Sequence, residues 1–171
     1  MKEEIALVDL DDQITGYCEK MAVHRNGLLH RAFSLFIFNE KGEMLIQKRS
    51  RNKYHSGGLW TNACCSHQRK NEELSDAVHR RLREELGFDC ALTEAFSFVY
   101  RTVFANGLTE YELDHVFTGT YSGPVELNKE EASDSMWISP EKLKAALLAE
   151  PQKFTAWFLI AAPGVLKGRE K

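Results

Sequence analysis

Two short stretches of this chain concentrate side chains that can carry protons or bind cations. One is CCSH at positions 64–67, and the other is EYELD at positions 110–114. Thiols and carboxylates are groups that give and take protons in general acid–base catalysis. Side chains alternate between the faces of a strand, so Glu110, Glu112 and Asp114 share one face. Adjacent carboxylates repel each other, so this face is either a solvated strand surface or a cation site.

Histidines provide possible partners for these carboxylates. His24 and His30 flank a predicted loop, and His67 directly follows the cysteine pair. Imidazole nitrogen and carboxylate oxygen together suit Zn²⁺ or Mn²⁺. The candidate ligands are His24, His30, His67, Glu110 and Glu112. An isolated histidine is more often structural or on the surface, and we expect that of His55, His79 and His115.

A third charged stretch lies in the clearest predicted helix, which runs from about Glu73 to Leu86. Glu84 and Glu85 fall at its carboxyl end, where they oppose the helix dipole. A divalent cation could offset them, or an ion pair such as Arg81 with Glu85 at i, i+4. The helix pattern alone does not choose between these alternatives.

The residues of this stretch resemble the Nudix box. The matching residues are Glu72, Arg80, Leu82, Glu84, Glu85, Gly87 and Phe88. Ser66 stands where the box has glycine, and Arg81 stands where it has a glutamate. The full box gathers metal ions around a diphosphate with several carboxylates. The Arg81 departure removes one ligand and adds a cation, which argues against an ordinary diphosphate hydrolase.

From Val8 to about Ile160 the sequence resembles the type 1 isopentenyl-diphosphate isomerases, a branch of the Nudix fold. WTN at 60–62 followed by CCSH looks like the family's cysteine motif, and Glu110-x-Glu112 looks like its glutamate motif. The resemblance implies interconversion of isopentenyl and dimethylallyl diphosphate through a tertiary carbocation. It assigns proton transfer to Cys65 and Glu112, assisted by Tyr100.

The resemblance also implies the binding residues. His24, His30, His67, Glu110 and Glu112 would hold one Mn²⁺ or Zn²⁺ ion, and Glu85 would hold Mg²⁺ with the substrate diphosphate. Trp157 would face the carbocation. The diphosphate clamp would consist of Lys20, Arg49, Lys53 and Arg81. Four cations between positions 48 and 53 fit such a clamp, although a solvated loop would have the same composition.

The remaining elements must position these groups. Apolar runs predict strands at 5–8, 32–38, 44–48 and 135–138, with 32–38 and 44–48 forming a hairpin. A longer hairpin joins 95–104 to 108–121. Ser139 and Pro140 open a helix to about Ala149, and a last helix covers about 154–161. The fold class is α/β (α+β): a Nudix fold with a mixed sheet between helices.

Composition limits the remaining function classes. The chain has 171 residues, a formal net charge of −3 and 43% hydrophobic residues, as expected for a single domain over residues 1–171. It lacks the basic character of a nucleic-acid binder and an apolar stretch long enough for a membrane span. Four cysteines without framework spacing favour a reducing cytoplasm. We expect a cytoplasmic protein that is a monomer or homodimer, and the resemblance implies that it acts on a small C5 isoprenoid diphosphate. The alternatives are a Nudix hydrolase of a nucleoside diphosphate derivative and a non-catalytic binding module.

Overall fold

The computed structural model describes residues 2–169, and its strands form one curled mixed sheet. The strands are β1 Glu4–Val8, β2 Ile14–Glu19, β3 His30–Phe38, β4 Met44–Arg49, β5 Trp60–Thr61, β6 Cys64–His67, β7 Leu92–Val103, β8 Thr109–Thr120 and β9 Ala132–Ile138. The helices are α1 Lys20–Asn26, α2 Leu74–Leu86, α3 Pro140–Ala149 and α4 Ala156–Arg169. A 3₁₀ turn at Pro151–Lys153 joins α3 to α4. None of the helices in this part of the chain is long and apolar enough to cross a membrane.

Strand β3 is the centre of the sheet. It pairs in parallel with β8 along its whole length and antiparallel with β6, and it also contacts β1 through His30 and Leu7. Strand β7 lies antiparallel to β8, and β9 lies antiparallel to β4. Residues 32–38 are all buried, as expected for a strand that is covered on both faces.

Alternation along β3 divides the core into two layers. Phe33, Leu35 and Ile37 pack against α2, whereas Phe36 and Phe38 pack against α3 and α4. The sheet therefore lies between helices, which confirms the predicted fold class. On the α4 side, Ala32 and Ser34 follow the phenylalanines toward the start of β3. These small side chains leave room above the sheet at that end.

Several predicted elements are confirmed with small shifts. Helix α2 ends at Gly87, whose left-handed φ of 72° forms the expected carboxyl-terminal cap. The Ser139 hydroxyl accepts the Lys142 N–H at the start of α3. Strands β7 and β8 form the predicted long hairpin, with Gly107 in its turn at a φ of 82°.

Other expectations need correction. Strand β2 and helix α1 were not predicted. Helix α1 has an unusual amino-terminal cap, Glu19, whose side chain accepts hydrogen bonds from the Met21 and Ala22 N–H groups. The predicted hairpin of β3 and β4 is paired only at its turn, through Phe38 and Met44, because β4 diverges to pair with β9. Helix α4 runs to Arg169 through the internal Pro163, whereas the prediction ended the last helix at about residue 161.

Candidate functional site

The three carboxylates of β8 are buried. Glu110 is 2% exposed, Glu112 is 6% exposed and Asp114 is 1% exposed. This burial rules out the solvated strand face that the sequence left open. Buried carboxylates require cations or hydrogen-bond donors, so their neighbours determine what this face can do.

Three elements bring histidines to these carboxylates. His24 comes from α1, His30 from the start of β3, His67 from β6, and all are buried. The His24 Nε2 atom lies 3.0 Å from Glu110 Oε1, and His67 Nε2 lies 3.0 Å from Glu112 Oε1. His30 Nε2 lies 3.4 Å from Glu110 Oε2 and 3.5 Å from Glu112 Oε1. The five residues that the sequence singled out as ligands therefore form one cluster.

The donor set of this cluster fits a divalent transition metal ion. One ligand atom from each of His24, His30, His67 and Glu110 lies within 4.8 Å of the others. The Nδ1 atoms of His24 and His30 face the carbonyl oxygens of Lys20 and Leu28, so each ring can donate there and would coordinate a metal ion through Nε2. His30 Nε2 and Glu110 Oε2 are buried without a hydrogen-bond partner, as expected of atoms suited to a cation.

The protonation states of the cluster show how strongly it attracts positive charge. Burial opposes ionisation of His30, but its contacts with Glu110 and Glu112 raise its pKa to about 10. The histidine contacts hold the pKa of Glu110 well below its usual value despite the opposing effect of burial. Burial lowers the pKa of His67 to about 4. The two carboxylates thus favour a positively charged group at the position of His30.

Next to the cluster, a small cavity brings together the proposed proton carriers. Cys65, Tyr100, Glu112 and Trp157 all line it, and its volume is about 30 Å³. The Tyr100 hydroxyl donates to Glu112 Oε2 at 2.6 Å across the β7–β8 pair. Burial raises the pKa of the Cys65 thiol to about 12, so this thiol is protonated at neutral pH. The volume admits about one water molecule, so a larger ligand requires the cavity wall to move.

A second cavity of about 150 Å³ adjoins the first and is polar. Its lining includes the four cations that the resemblance assigned to a diphosphate clamp: Lys20, Arg49, Lys53 and Arg81. Lys53 and Arg81 both pair with Glu131, and Lys20 lies 3.6 Å from Glu3. Lys20, Lys53 and Arg81 therefore have carboxylate partners that an anionic ligand would replace or share.

Arg49 links the two cavities. It is only 6% exposed, so it is not part of a solvated loop. Its Nη1 lies 3.9 Å from Cys65 Sγ, and its guanidinium carbon lies 5.2 Å from the centre of the Trp157 ring. The π face of Trp157 thus already lies beside a cation in this structure.

Glu85 has a different environment from the one proposed for an Mg²⁺ ligand. It is buried, and Arg81 pairs with its Oε1 atom, as the ion-pair alternative proposed. The Gln47 side-chain amide donates to Oε2 at 3.1 Å. Both carboxylate oxygens therefore have partners, and the residues present do not form a ready Mg²⁺ site.

The sequence reading missed three residues of this region. His55, expected to be structural or on the surface, is buried with its Nε2 atom 2.5 Å from Glu110 Oε1. Tyr54 lines both cavities, and Glu131 joins two of the clamp cations. The only sequence signal for Tyr54 and His55 is that they directly follow Lys53, which was predicted to bind the diphosphate. His79 and His115 instead pair with carboxylates outside the cluster.

The chain matches known protein families over most of its length. Residues 28–158 match the model of the NUDIX domain. The chain is 47% identical over 169 residues to isopentenyl-diphosphate Delta-isomerase 2 of Aromatoleum aromaticum, covering 99% of this chain and 89% of that protein. It is 49% identical to the isopentenyl-diphosphate Delta-isomerase of Burkholderia multivorans, covering 92% of this chain and 90% of that protein.

Solved structures share the fold at lower identity. A crystal structure of a Deinococcus radiodurans protein aligns with a TM-score of 0.71 at 21% identity, covering 86% of this chain and 90% of that one. The MutT protein of Methanosarcina mazei aligns with a TM-score of 0.68 at 23% identity, covering 84% and 96%. At these identities the likeness concerns the fold alone.

Proposed function

Because this chain belongs to the isopentenyl-diphosphate Delta-isomerases, within the wider NUDIX family, we propose that it interconverts isopentenyl and dimethylallyl diphosphate with Cys65 and Glu112 as its acid–base pair. The observation that carries this proposal is the pair of adjoining cavities. One has a volume of about 30 Å³ and is lined by the proposed proton carriers, and the other is lined by cations. A small substrate with an alkene at one end and a diphosphate at the other matches both.

The reaction moves a double bond, so one carbon gains a proton and another carbon loses one. Cys65 lies on β6 and Glu112 on β8, and both strands pair with β3 from opposite sides. Groups on opposite sides of the substrate can therefore add and remove the two protons. An unactivated alkene is a weak base, and a protonated thiol in a cavity that excludes water is suited to supply the first proton.

Tyr100 and Trp157 complete the alkene end of the site. The Tyr100 hydroxyl holds the Glu112 carboxylate through Oε2 and fixes its direction. Proton addition leaves a tertiary carbocation, whose charge a desolvated aromatic face stabilises by about 2 kcal/mol. Trp157 provides that face once Arg49 turns toward the diphosphate.

The diphosphate end is held by charge. Lys20, Arg49, Lys53 and Arg81 line the polar cavity, where hydrogen bonds to phosphate oxygens are charge-assisted. Glu3 holds Lys20, and Glu131 holds Lys53 and Arg81, in place before the substrate binds. A cavity of about 150 Å³ lined by these cations suits an anionic small molecule, and we propose neither a nucleic acid nor a membrane as a partner. We propose that the protein acts in the cytoplasm, as a monomer or homodimer.

A metal ion completes the proposal. His24, His30, His67, Glu110 and Glu112 would hold Mn²⁺ or Zn²⁺, which supplies positive charge that fixes Glu112 and tunes its proton affinity. Mg²⁺ at Glu85, accompanying the diphosphate, stays a prediction. Arg81 and Gln47 engage both oxygens of that carboxylate here, so at least one of them would have to release it for Mg²⁺ to bind.

Turnover in deuterated water tests the reaction. The protein is incubated with isopentenyl diphosphate, Mg²⁺ and Zn²⁺ or Mn²⁺, and the product is examined by NMR. We expect dimethylallyl diphosphate that carries solvent deuterium. A Cys18→Ser variant serves as the matched control, because Cys18 lies on β2 outside both cavities.

The other two functions give different results. Release of phosphate without isomerised product would indicate the Nudix hydrolase. The absence of turnover by folded, metal-loaded protein would indicate the non-catalytic binding module.

A further inference from the structure

His55 is a buried histidine next to the cluster of candidate metal ligands, and no part of the proposed function uses it. It lies in the loop between β4 and β5 and is 6% exposed. Its Nε2 atom lies 2.5 Å from Glu110 Oε1, the same oxygen that His24 approaches at 3.0 Å. The His55 Nε2 atom is therefore within hydrogen-bond distance of this carboxylate oxygen.

The surroundings of His55 differ from those of the cluster histidines. His24 and His30 direct Nδ1 at backbone carbonyls, which can only accept, so their Nε2 atoms are free to coordinate. His55 directs Nδ1 at the Ser56 hydroxyl at 3.1 Å, and a hydroxyl can donate. The neutral ring can therefore accept at Nδ1 and carry its proton on Nε2, facing Glu110.

Ring contacts fix this orientation. The His55 ring stacks on Phe104 with centroids 4.2 Å apart and planes 7° apart. Trp157 meets it edge-on at 5.9 Å, and the His55 carbonyl accepts a hydrogen bond from Arg49 at 3.3 Å. The ring thus has little freedom to turn away from Glu110.

We propose that His55 is a positioning residue for the metal site, which donates from Nε2 to Glu110 Oε1 and directs the other oxygen, Oε2, at the metal. This inference rests on the metal site of the proposed function. Glu110 Oε2 is the oxygen without a hydrogen-bond partner, and it faces His30 Nε2 at 3.4 Å. One carboxylate thus has a donor on one oxygen and an open ligand position on the other, an arrangement that tunes affinity in metal sites.

Metal affinity of His55 variants tests the proposal without measuring turnover. Zn²⁺ is titrated against a chromophoric chelator with the wild type and with the variants His55→Ala, His55→Gln and His55→Asn. Loss of an outer hydrogen bond to a ligand costs about 10- to 100-fold in affinity, which we expect for His55→Ala. A glutamine amide nitrogen reaches the Nε2 position, so His55→Gln should bind almost as tightly as the wild type. An asparagine amide falls short, so His55→Asn should resemble His55→Ala.

The controls separate this inference from the site on which it rests. His79→Ala removes an exposed histidine that pairs with Asp89, and it should leave Zn²⁺ affinity unchanged. Urea unfolding shows that each variant is folded. If the wild type does not bind Zn²⁺, the metal site itself is wrong. If the wild type binds and folded His55→Ala binds as tightly, or His55→Gln binds as weakly as His55→Ala, donation by His55 is wrong.

Discussion

At the scale of single residues, the acidity of Cys65 determines what the site can do. Burial raises its pKa to about 12, although Arg49 opposes the shift. A thiolate would be a nucleophile, whereas this thiol remains a proton donor at neutral pH. The neighbouring Cys64 points into the core against α2 and takes no part in the cavity. The two adjacent cysteines therefore have different surroundings, because β6 turns their side chains to opposite faces.

Replacing the Cys65 thiol with a hydroxyl tests this assignment. Cys65→Ser keeps the shape but substitutes a much weaker acid, so we expect kcat to fall by about 10²- to 10⁴-fold, the range for general acid catalysis. Steady-state kinetics with isopentenyl diphosphate measure the effect. The Cys18→Ser control should retain wild-type turnover, and near-normal turnover by Cys65→Ser would contradict the assignment.

Part of this site can be predicted from the residue types and their spacing in the sequence. Histidines and glutamates stand out because ligand chemistry restricts the residue type, and the structure does bring the five predicted ligands together. His55 and Glu131 do not stand out, because their importance depends on contacts with Glu110 and Arg81, which are distant in sequence. Their roles, like those of the predicted site residues, remain to be tested by mutation.

At the scale of elements, the loop between β4 and β5 carries Lys53, Tyr54 and His55 to the site. Gly57 allows its tight course, since a Cβ atom there would lie 2.7 Å from the Arg51 carbonyl oxygen. The Asn106 side chain in the β7–β8 turn donates to the Tyr54 carbonyl at 2.7 Å and holds the loop from the other side. The geometry of this loop should therefore be sensitive to a single methyl group.

Gly57→Ala is expected to displace the loop and lower kcat/KM. A misplacement of about 1 Å at a site can cost about 100-fold, and we expect a loss of about 10- to 100-fold. The matched control is Gly16→Ala on β2, where a Cβ atom meets nothing within 4 Å. Unchanged kinetics of Gly57→Ala beside the control would show that the loop does not determine catalysis.

The first strand is attached to the site by Glu3, whose charge gives the fold a pH dependence. Burial opposes its ionisation, but Lys20 and Arg69 lower its pKa to about 2 from 4.5. The lowered value means that the ionised form stabilises the fold. This contribution is complete above pH 4.5, the unfolded value, and is lost as the pH falls through 2.

Glu3→Gln should therefore lower the free energy of unfolding at pH 7 by about 1 kcal/mol, a figure discounted for the partial exposure of the ion pairs. The difference from the wild type should shrink as the pH falls below 4.5. Urea unfolding between pH 7 and pH 3 measures it. Glu4→Gln, which removes an exposed pair with Lys70, should have little effect at any pH. A deficit of Glu3→Gln as large at pH 3 as at pH 7 would contradict the linkage.

The elements that the sequence predicted correctly have strong local signals. Helix α2 has a four-residue apolar repeat and a terminal glycine, and the β7–β8 hairpin has an Asn-Gly turn. Helix α1 lacks such signals, since it has only seven residues and a glutamate cap. Its stability comes from tertiary contacts, including burial of Val23 and His24. Helix α4 passes Pro163 for the same reason, because Val165 and Leu166 are buried in the core beyond it.

At the scale of the whole molecule, the net charge of −3 conceals two opposed groups of charges. Buried carboxylates gather on β8, and cations gather around the polar cavity a short distance away. The ligands of the proposed metal ion come from α1, β3, β6 and β8, which are far apart in the sequence. An ion bound there would link helix α1 to three strands of the sheet, β3, β6 and β8.

Removal of the metal should therefore lower the stability of the whole domain. A ligand that binds only the folded state stabilises it by about 2.7 kcal/mol at 100 times its Kd, and about 1 kcal/mol shifts Tm by about 2–4 °C for a chain of this size. We expect a chelator to lower Tm by about 5–10 °C and added Zn²⁺ to restore it, as measured by calorimetry. Glu110→Gln removes a ligand charge and should abolish the Zn²⁺-dependent shift, whereas His79→Ala should keep it. A Tm that does not respond to chelator or Zn²⁺ in the wild type would show that no metal ion stabilises this cluster.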